Sequence, residues 1–196
     1  MRKVKKFKLT SEFIVDISGV KLFRIKALIE FGNVKAGDLG GYIEKEENLS
    51  HMGNAWVSGN AQVSGDARVF GDARVFGNAQ VSGDAQVFGD ARVFGNAWVS
   101  GNAQVSGNAQ VSGDAQVFGD ARVSGDKDYA YAHGFGSCNR TTTFFRLKDG
   151  DVGVRCGCFY GTLAQFRDNV CETHGETKKA QEYLMLADLM DFRFKN

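Results

Sequence analysis

Residues 53–58 read Gly-Asn-Ala-Trp-Val-Ser, and this six-residue unit then recurs without insertion or deletion as far as Ser124. Its general form is Gly-[Asn/Asp]-Ala-[Gln/Arg/Trp]-Val-[Ser/Phe], and twelve copies follow one another. A short fixed period is typical of repeat architectures, in which each unit buries its apolar face only against its neighbours. The repeat therefore predicts a β-solenoid across the middle of the chain.

Each position of the unit has a structural reason. Alternation along a strand turns Ala and Val to one side and the residue between them to the other. Gly, Asn and Asp tolerate positive φ angles at the lowest cost, so [Ser/Phe]-Gly-[Asn/Asp] is expected to form the corner between strands. Read backwards in the same register, Gly41, Ile43 and Leu49 fall on repeat positions, so the array is expected to start near Leu39. His51 makes this first coil irregular.

The repeat resembles the hexapeptide-repeat superfamily, in which an aliphatic residue and a small residue recur through the array. This resemblance implies a left-handed parallel β-helix with three hexads, or about 18 residues, in each coil. At about 4.8 Å per layer, between four and five coils would give a rod of about 22 Å. A right-handed solenoid, which usually has longer and less regular coils, fits the repeat less well.

Stepping along the chain by one coil predicts which side chains lie above one another. The residues between Ala and Val form three columns: Trp56, Arg74, Arg92 and Gln110; Gln62, Gln80, Trp98 and Gln116; and Arg68, Gln86, Gln104 and Arg122. Four corner phenylalanines are expected to stack in pairs, Phe70 on Phe88 and Phe76 on Phe94. With Arg74 and Arg92 beside them, they are our candidate surface for a partner or for self-assembly. The alternative is that the rings pack on each other or on a terminal module.

Two smaller modules flank the array, which we assign to residues 39–126. Residues 1–38 are predicted to form an N-terminal β cap, with strands from Phe13 to Ile17 and from Val20 to Leu28 joined by a two-residue turn at Ser18-Gly19. Such a cap would cover the open strand edges of the first coil.

Residues 127–196 are predicted to form a ββαα module. Its strands run from Thr141 to Leu147 and from Val152 to Phe159, and the second strand turns Val152, Val154, Cys156 and Cys158 to one face. Thr162–Gln165 is a capping box that opens a helix ending near Gly175. A second helix, about Thr177 to Asp191, is apolar on more than one face, so we expect its own module and another subunit to bury it. The chain is therefore expected to be a homo-oligomer, a dimer or a trimer.

Segments on both sides of the array look like those of uncharacterised bacterial and prophage hexapeptide-repeat proteins. The segments that carry this resemblance are Arg24–Leu28, Phe31–Ile43, Asn48–Ser50, Gly157–Phe159, Gly161-Thr162, Phe166 and Thr173–Gly175. The resemblance implies a phage or gut-bacterial origin and brings no assigned activity.

Composition excludes several classes of protein. The net charge of +1 argues against a nucleic-acid binder. The chain has no apolar run long enough for a membrane span and no export signal. The expected location is the cytoplasm, that of the host cell if the protein is phage-encoded, and the cysteines are expected to be reduced there.

Acyl transfer is the main enzymatic alternative, because many left-handed β-helices resemble one another in being trimeric acyltransferases with a histidine base and an extruded loop. The twelve regular repeats contain neither a histidine nor an interrupting loop. Only His51 and His133, which flank the array, could serve as the base. The sequence therefore favours a protein that is not an enzyme.

Two further sites are weaker candidates in the C-terminal module. Cys156, Cys158, Cys171 and His174, with Cys138 or His133 nearby, could supply four zinc ligands, although small buried thiols and a core histidine explain the same residues. No other cofactor is expected.

The polar run Ser137–Thr143, which includes Arg140 and Thr141, could bind an anion, with Tyr129, Tyr131 and Phe135 available to stack on a base. This run would suit sequestration of a small nucleotide, and the alternative is a solvated loop.

These observations lead to one preferred hypothesis. The protein is a non-enzymatic phage or prophage protein that presents a rigid β-solenoid surface to a host protein or a small anionic ligand. Such a protein is suited to interfering with a host process, including antiviral defence. The candidate binding residues are Phe70, Phe76, Phe88, Phe94, Arg74, Arg92, Arg140 and Thr141.

Overall fold

The computed structural model describes residues 4–136 and 139–195, and a β-solenoid occupies the centre of the chain. Short strands begin every six residues through the array. They are β4 Trp56–Val57, β5 Gln62–Val63, β6 Arg68–Val69, β7 Arg74–Val75, β8 Gln80–Val81, β9 Gln86–Val87, β10 Arg92–Val93, β11 Trp98–Val99, β12 Gln104–Val105, β13 Gln110–Val111, β14 Gln116–Val117 and β15 Arg122–Val123.

Every third strand pairs in parallel, which gives the solenoid three faces. One face holds β4, β7, β10 and β13, a second holds β5, β8, β11 and β14, and the third holds β6, β9, β12 and β15. Trp56 lies opposite Arg74, and Arg74 lies opposite Arg92, so one coil takes 18 residues. The three predicted columns and the parallel stacked-coil fold are therefore confirmed, whereas the left hand of the coil stays a prediction.

The interior of the solenoid is a column of small aliphatic side chains. The Ala and the Val of each hexad from Ala55 to Val123 are buried. The corner glycines from Gly53 to Gly119 have φ angles between +58° and +73°. At Gly71 a Cβ would also lie 3.0 Å from the backbone nitrogen of Gly89 in the next coil. A non-glycine residue would therefore be strained there, both by its φ angle and by the neighbouring backbone.

The N-terminal segment continues one face of the solenoid. Strands β1 Phe7–Val15 and β2 Lys21–Ala27 form an antiparallel hairpin, and β2 pairs with β3 Leu39–Ile43. In turn β3 pairs in parallel with β5, and Leu49 bridges to Val69, so residues from Leu39 onwards stack on the first regular coil.

Two details of the predicted hairpin were wrong. The first strand starts at Phe7 rather than Phe13. The turn is also longer than two residues, because the N–H of Asp16 donates to Val20 O and the side chain of Asp16 accepts from the N–H groups of Ser18 and Val20. This side-chain bonding stabilises a wider Asx-type turn.

Hydrogen-bond donors cap the carbonyl groups at the open edge of the first coil. Lys6 Nζ donates to Ala55 O at 2.8 Å and to Gly53 O at 3.3 Å. Asn48 Nδ2 caps the equivalent carbonyls on the third face. It donates to Gly65 O at 3.0 Å and to Ala67 O at 2.9 Å. These donors replace the N–H groups that a preceding coil would supply.

Lys6 is almost completely buried in this position. Burial lowers the pKa of its ammonium from 10.5 to about 8, and the charge of Asp72 acts in the opposite direction. Its ammonium group also lies 4.8 Å from the centre of the Phe31 ring.

Acceptors cap the N–H groups at the other end of the solenoid. Asp126 Oδ1 accepts from Gln110 N, Thr143 Oγ1 accepts from Gln116 N, and Asp128 Oδ2 accepts from Ser124 N, each at 2.9 Å. Burial alone would raise the pKa of Asp128, but hydrogen bonds from Ser124 and Gly125 and the charge of Arg146 lower it overall.

A four-stranded antiparallel sheet and two helices follow the solenoid. The strands are β16 Tyr129–Phe135, β17 Arg140–Arg146, β18 Val152–Cys156 and β19 Phe159–Thr162, and the helices are α1 Leu163–His174 and α2 Lys178–Phe194. Phe7 of β1 and Phe145 of this sheet are both fully buried in the solenoid core. Phe7 comes from the N-terminal side of the array and Phe145 from the C-terminal side. The C-terminal module is therefore a cap as well as a separate core.

The structure corrects the predicted C-terminal strands. β16 was missed, although Tyr129, Tyr131 and Phe135 alternate along it as aromatic residues do in strands. The predicted strand from Val152 to Phe159 is a hairpin instead, in which Cys156 pairs with Phe159 and Gly157 has a φ of +59°. Cys158 therefore lies in the turn rather than on the face with Val152 and Val154.

The two helices begin where the sequence indicates. Thr162 and Gln165 form the predicted capping box of α1, and Thr177 caps α2. The buried face of α2 includes Ala180, Tyr183, Ala187, Met190 and Phe194, while Met185, Leu189 and Phe192 are exposed. Within the described residues, neither helix is long and apolar enough to cross a membrane.

Candidate binding site

Two identical nine-residue segments, 69–77 and 87–95, stack directly on each other and build the candidate site. Each reads Val-Phe-Gly-Asp-Ala-Arg-Val-Phe-Gly. Because the register is in phase, equal side chains lie above one another. Phe70 stacks on Phe88 and Phe76 on Phe94, in each pair with ring centres 4.9 Å apart and planes 1° apart. Both predicted stacks are confirmed.

The same register places two arginines opposite each other. Arg74 lies directly opposite Arg92, one layer or about 4.8 Å away. In the described part of the chain, neither side chain has an ion pair or a hydrogen bond. On the third face the two arginines, Arg68 and Arg122, are separated by two glutamines, and Arg122 donates to backbone carbonyls. Like charges placed directly opposite each other destabilise a sheet, so this arrangement is not explained by stability.

A cleft of about 420 Å³ opens beside the arginine pair. Its lining residues are Asn33, Trp56, Ser58, Arg74, Phe76 and Arg92. We call it the arginine cleft. One wall is the loop that follows β2, in which Phe31 packs edge-on against Trp56 with ring centres 5.3 Å apart. A Cβ at Gly32 would lie 3.5 Å from Arg74 Nη2, so the guanidinium reaches this loop.

The four phenylalanines do not form one continuous patch. Phe76 lines the arginine cleft, and Phe94 lines a third cleft of about 460 Å³ at the C-terminal end of the same face. Phe70 instead lines a cleft of about 950 Å³ with Arg68, Gln86 and residues 46–52 of the first coil. The structure therefore associates Arg74 and Arg92 with the Phe76–Phe94 pair, and it places Phe70 beside a different face.

The ring of the fifth corner phenylalanine, Phe118, is covered by other side chains. Phe118 packs edge-on against Trp98, with ring centres 4.8 Å apart, and the guanidinium of Arg155 lies 4.8 Å from the centre of its ring. The C-terminal module thus covers the aromatic corner nearest to it. Phe76 and Phe94 have no such cover in the described structure, and both remain partly exposed.

Arg140 and Thr141 lie in β17, and neither lines the arginine cleft. Thr141 Oγ1 is 3.0 Å from His133 Nδ1 on the neighbouring strand. The guanidinium of Arg140 packs over Gly157, where a Cβ would collide with Nη1. Ser137 and Cys138, from the predicted polar run, lie outside the described residues.

The weak zinc candidates are distributed over three elements. Cys156 Sγ contacts Thr142 Oγ1 and Tyr183 OH, Cys158 lies in the exposed turn after β18, and Cys171 is exposed on α1. His174 stacks on Tyr183. Across residues 4–136 and 139–195, no group of three or more His, Cys, Asp or Glu is placed to hold a metal ion.

The two flanking histidines are engaged with protein groups. His51 stacks on Phe7 at 4.3 Å, its Nδ1 accepts from Lys6 N, and its Nε2 lies 3.6 Å from a Glu46 carboxylate oxygen. A histidine whose Nδ1 accepts a backbone N–H has no free lone pair to take a proton from a substrate. His133 belongs to the opposite end of the solenoid.

Three lining residues of the arginine cleft were missed as site residues by sequence reasoning: Asn33, Trp56 and Ser58. Asn33 reaches the cleft only because the loop after β2 folds over β4, and no local pattern shows this. The sequence did hold a signal for Trp56 and Ser58, since both belong to columns that the six-residue period defines. Ser58 lies one coil before Phe76 in the same column.

The repeat also has a counterpart among known protein families. Residues 61–75, 67–83, 85–101 and 103–117 match the family model described as the YdcK beta-solenoid repeat. The matched segments extend from β5 to β14 and so lie within the stacked coils. No curated protein matches the chain. The central array is therefore a β-solenoid whose repeats are similar to the YdcK beta-solenoid repeat.

Proposed function

We propose that the protein is a non-enzymatic binding protein, of phage or prophage type, that presents its solenoid surface to a host protein or a small host ligand. The contact surface consists of the arginine cleft and the Phe76–Phe94 pair. Binding there would block or sequester the host molecule in the cytoplasm, including a component of antiviral defence.

The observation that carries this proposal is the pair of arginines, Arg74 and Arg92, that lie opposite each other without an ion pair among the described residues, beside a pair of partly exposed aromatic rings. Arg and aromatic residues are the types most enriched at binding hot spots, and a partner can relieve the repulsion between Arg74 and Arg92. The backbone of each coil is hydrogen-bonded to the next, so the backbone positions from which these side chains project are fixed before a partner arrives. Preorganisation of this kind reduces the ordering cost of binding.

The competing function is acyl transfer, which the resemblance to hexapeptide-repeat enzymes suggests. The hydrogen bond that His51 Nδ1 accepts from Lys6 N speaks against a general base at the first coil. Acetyl-CoA turnover in the His51→Ala and His133→Ala variants decides the matter. A measurable turnover that disappears in either variant would replace the binding proposal.

Native mass spectrometry of the protein purified from bacterial host cells tests the proposal. The Phe76→Ser/Phe94→Ser variant is the informative change, because serine occupies the same corner position at Ser58 and Ser112, so the coil tolerates it. The control is Gln62→Ala/Gln80→Ala on the neighbouring face. We expect a protein or small-molecule mass to co-purify with the wild type and the control, and to be lost from the Phe variant. Retention of that mass by a folded Phe variant would refute this surface.

A further inference from the structure

We infer that the arginine cleft binds a small molecule that carries both a phosphoryl group and a planar aromatic ring, as a nucleoside monophosphate does. This inference rests on the proposed function, because it names the ligand class for the same face of the solenoid. It is carried by three observations: the charge of the lining, the column of rings at one side, and the volume.

The lining of the arginine cleft is cationic. It contains two guanidinium groups and no carboxylate. Asp72, the closest acid in the sequence to Arg74, accepts hydrogen bonds from Asn54 N at 3.0 Å and from Asn54 Nδ2 at 2.8 Å. Arg74 and Arg92 project from positions one strand spacing apart and both line the cleft, so their guanidinium groups can each donate to a different oxygen of one phosphoryl group. A dianion would thus neutralise the like charges that the register of the coils forces together.

The aromatic side of the cleft has room for one more ring. The corner column runs Ser58, Phe76, Phe94, Ser112, and Phe76 is covered on one ring face by Phe94. Its other ring face is turned towards the layer of Ser58, whose side chain is far smaller than a phenyl ring. Both Ser58 and Phe76 line the arginine cleft. A planar ring that enters over Ser58 would continue the stack, and stacking of a base on an aromatic side chain is sequence-tolerant and favourable.

The size of the cleft fits a ligand of this class. Its volume of about 420 Å³ is within the range of small-molecule sites, which is roughly 300–1,000 Å³. The side chains of Asn33 and Ser58 add hydrogen-bonding groups at its edge.

The equivalent cleft at the other end of the ring column differs in charge. It is lined by Phe94 and Ser112, but also by Asp126, and its arginine, Arg193, already donates to Asp126 O. An anion would meet a carboxylate there. The arginine cleft is therefore the one that suits a phosphorylated ligand.

Isothermal titration calorimetry at low ionic strength tests the inference with three probes: AMP, inorganic phosphate and adenosine. We expect AMP to bind more tightly than phosphate, and adenosine to bind much more weakly than AMP. The Arg74→Gln/Arg92→Gln variant should weaken AMP binding at least about tenfold, because two charge-assisted contacts are lost. The matched control is Arg68→Gln on another face, which should bind AMP like the wild type. Glutamine occupies the same repeat position at Gln62, Gln80 and Gln86, so these changes preserve the coil.

A third variant isolates the ring contact. Ser58→Phe adds a third phenylalanine to the corner column, next to Phe76 and Phe94. The added ring fills the space that the base would take. We expect Ser58→Phe to reduce the affinity for AMP to that for phosphate and to leave phosphate binding unchanged.

Each other outcome overturns a defined part of the inference. Equal AMP binding by the wild type and the Arg74→Gln/Arg92→Gln variant would show that the two arginines do not bind the phosphoryl group. Equal binding of adenosine and AMP would show the same. Equal binding of phosphate and AMP would remove the ring contact. If none of the probes binds at millimolar concentration, the ligand class is wrong. The proposed function survives that result if the wild type still retains a partner that the Phe76→Ser/Phe94→Ser variant loses.

Discussion

The ammonium group of Lys6 lies 2.8 Å from Ala55 O, where it takes the place of an absent coil. In the stacked coils the Gly, Ala and Val carbonyls of one layer accept from the layer before it, as Ala73 O accepts from Trp56 N. Ala55 belongs to the first complete layer and has no such neighbour. A buried carbonyl without a donor costs free energy, so the capping side chains make the solenoid finite without leaving an open edge.

Removal of this cap is expected to destabilise the protein. Lys6→Met keeps an apolar side chain of similar length but leaves Gly53 O and Ala55 O without their donor. We expect the free energy of unfolding to fall by about 1–3 kcal/mol. Denaturant unfolding of the wild type and of this variant gives the value. The control is Lys8→Met, two residues further along the chain in β1 and exposed, and equal loss in both variants would show that the cap contributes nothing specific.

The lowered pKa of Lys6 predicts an unusual pH dependence. In the unfolded chain the group has its ordinary pKa of 10.5, and in the folded protein burial lowers the pKa to about 8. Between these values the unfolded state binds more protons, so the stability contributed by Lys6 rises with pH across this window. The neutral amine still has hydrogens with which to cap the carbonyls.

This pH dependence is measured as the difference in the free energy of unfolding between the wild type and Lys6→Met. The contributions of the other titrating groups are common to both proteins and cancel. We expect the stability difference between the wild type and Lys6→Met to grow from about pH 7 to about pH 10. A constant or shrinking difference would mean that the folded pKa of Lys6 is not depressed.

The arginine pair is expected to reduce stability. Replacing one member, Arg92→Gln, removes a like-charge contact and should raise the free energy of unfolding by about 0.2–1 kcal/mol at low salt. Salt screens exposed charges, so the gain should shrink at about 0.5 M NaCl. Denaturant unfolding at both salt concentrations tests this, with Arg68→Gln as the control, because Arg68 has Gln86 rather than an arginine opposite it. A gain of equal size in both variants would contradict a role for repulsion between the paired charges.

Self-association is expected to involve α2. Met185, Leu189 and Phe192 follow each other at helical spacing, with 71, 55 and 72 % of their surface exposed. We expect a dimer or a trimer in light-scattering measurements of the wild type, and a shift towards monomer for Leu189→Glu, because burying a carboxylate at an apolar contact is costly. Gln181→Glu, at an exposed position of the same helix, should leave the mass unchanged. A monomeric wild type would exclude an interface on this face.

The sequence by itself was sufficient to predict the solenoid and much of its surface. The six-residue period, together with the three hexads per coil that the resemblance to hexapeptide-repeat proteins implies, predicted the three columns and the stacks of Phe70 on Phe88 and Phe76 on Phe94. The sequence also predicted the helix starts at Thr162 and Thr177, because a capping residue acts on N–H groups only three positions away.

Only the tertiary structure decided which of these side chains form one site. The period places Arg74 over Arg92, but it does not reveal that the loop of Asn33 folds over Trp56 or that Phe70 lines a different cleft. Likewise, the strand β16, which pairs with β17, and the tight turn at Gly157, across which Cys156 pairs with Phe159, were not predicted. Repeats encode contacts at a fixed sequence separation, whereas the cleft and the caps depend on contacts between the array and modules outside its period.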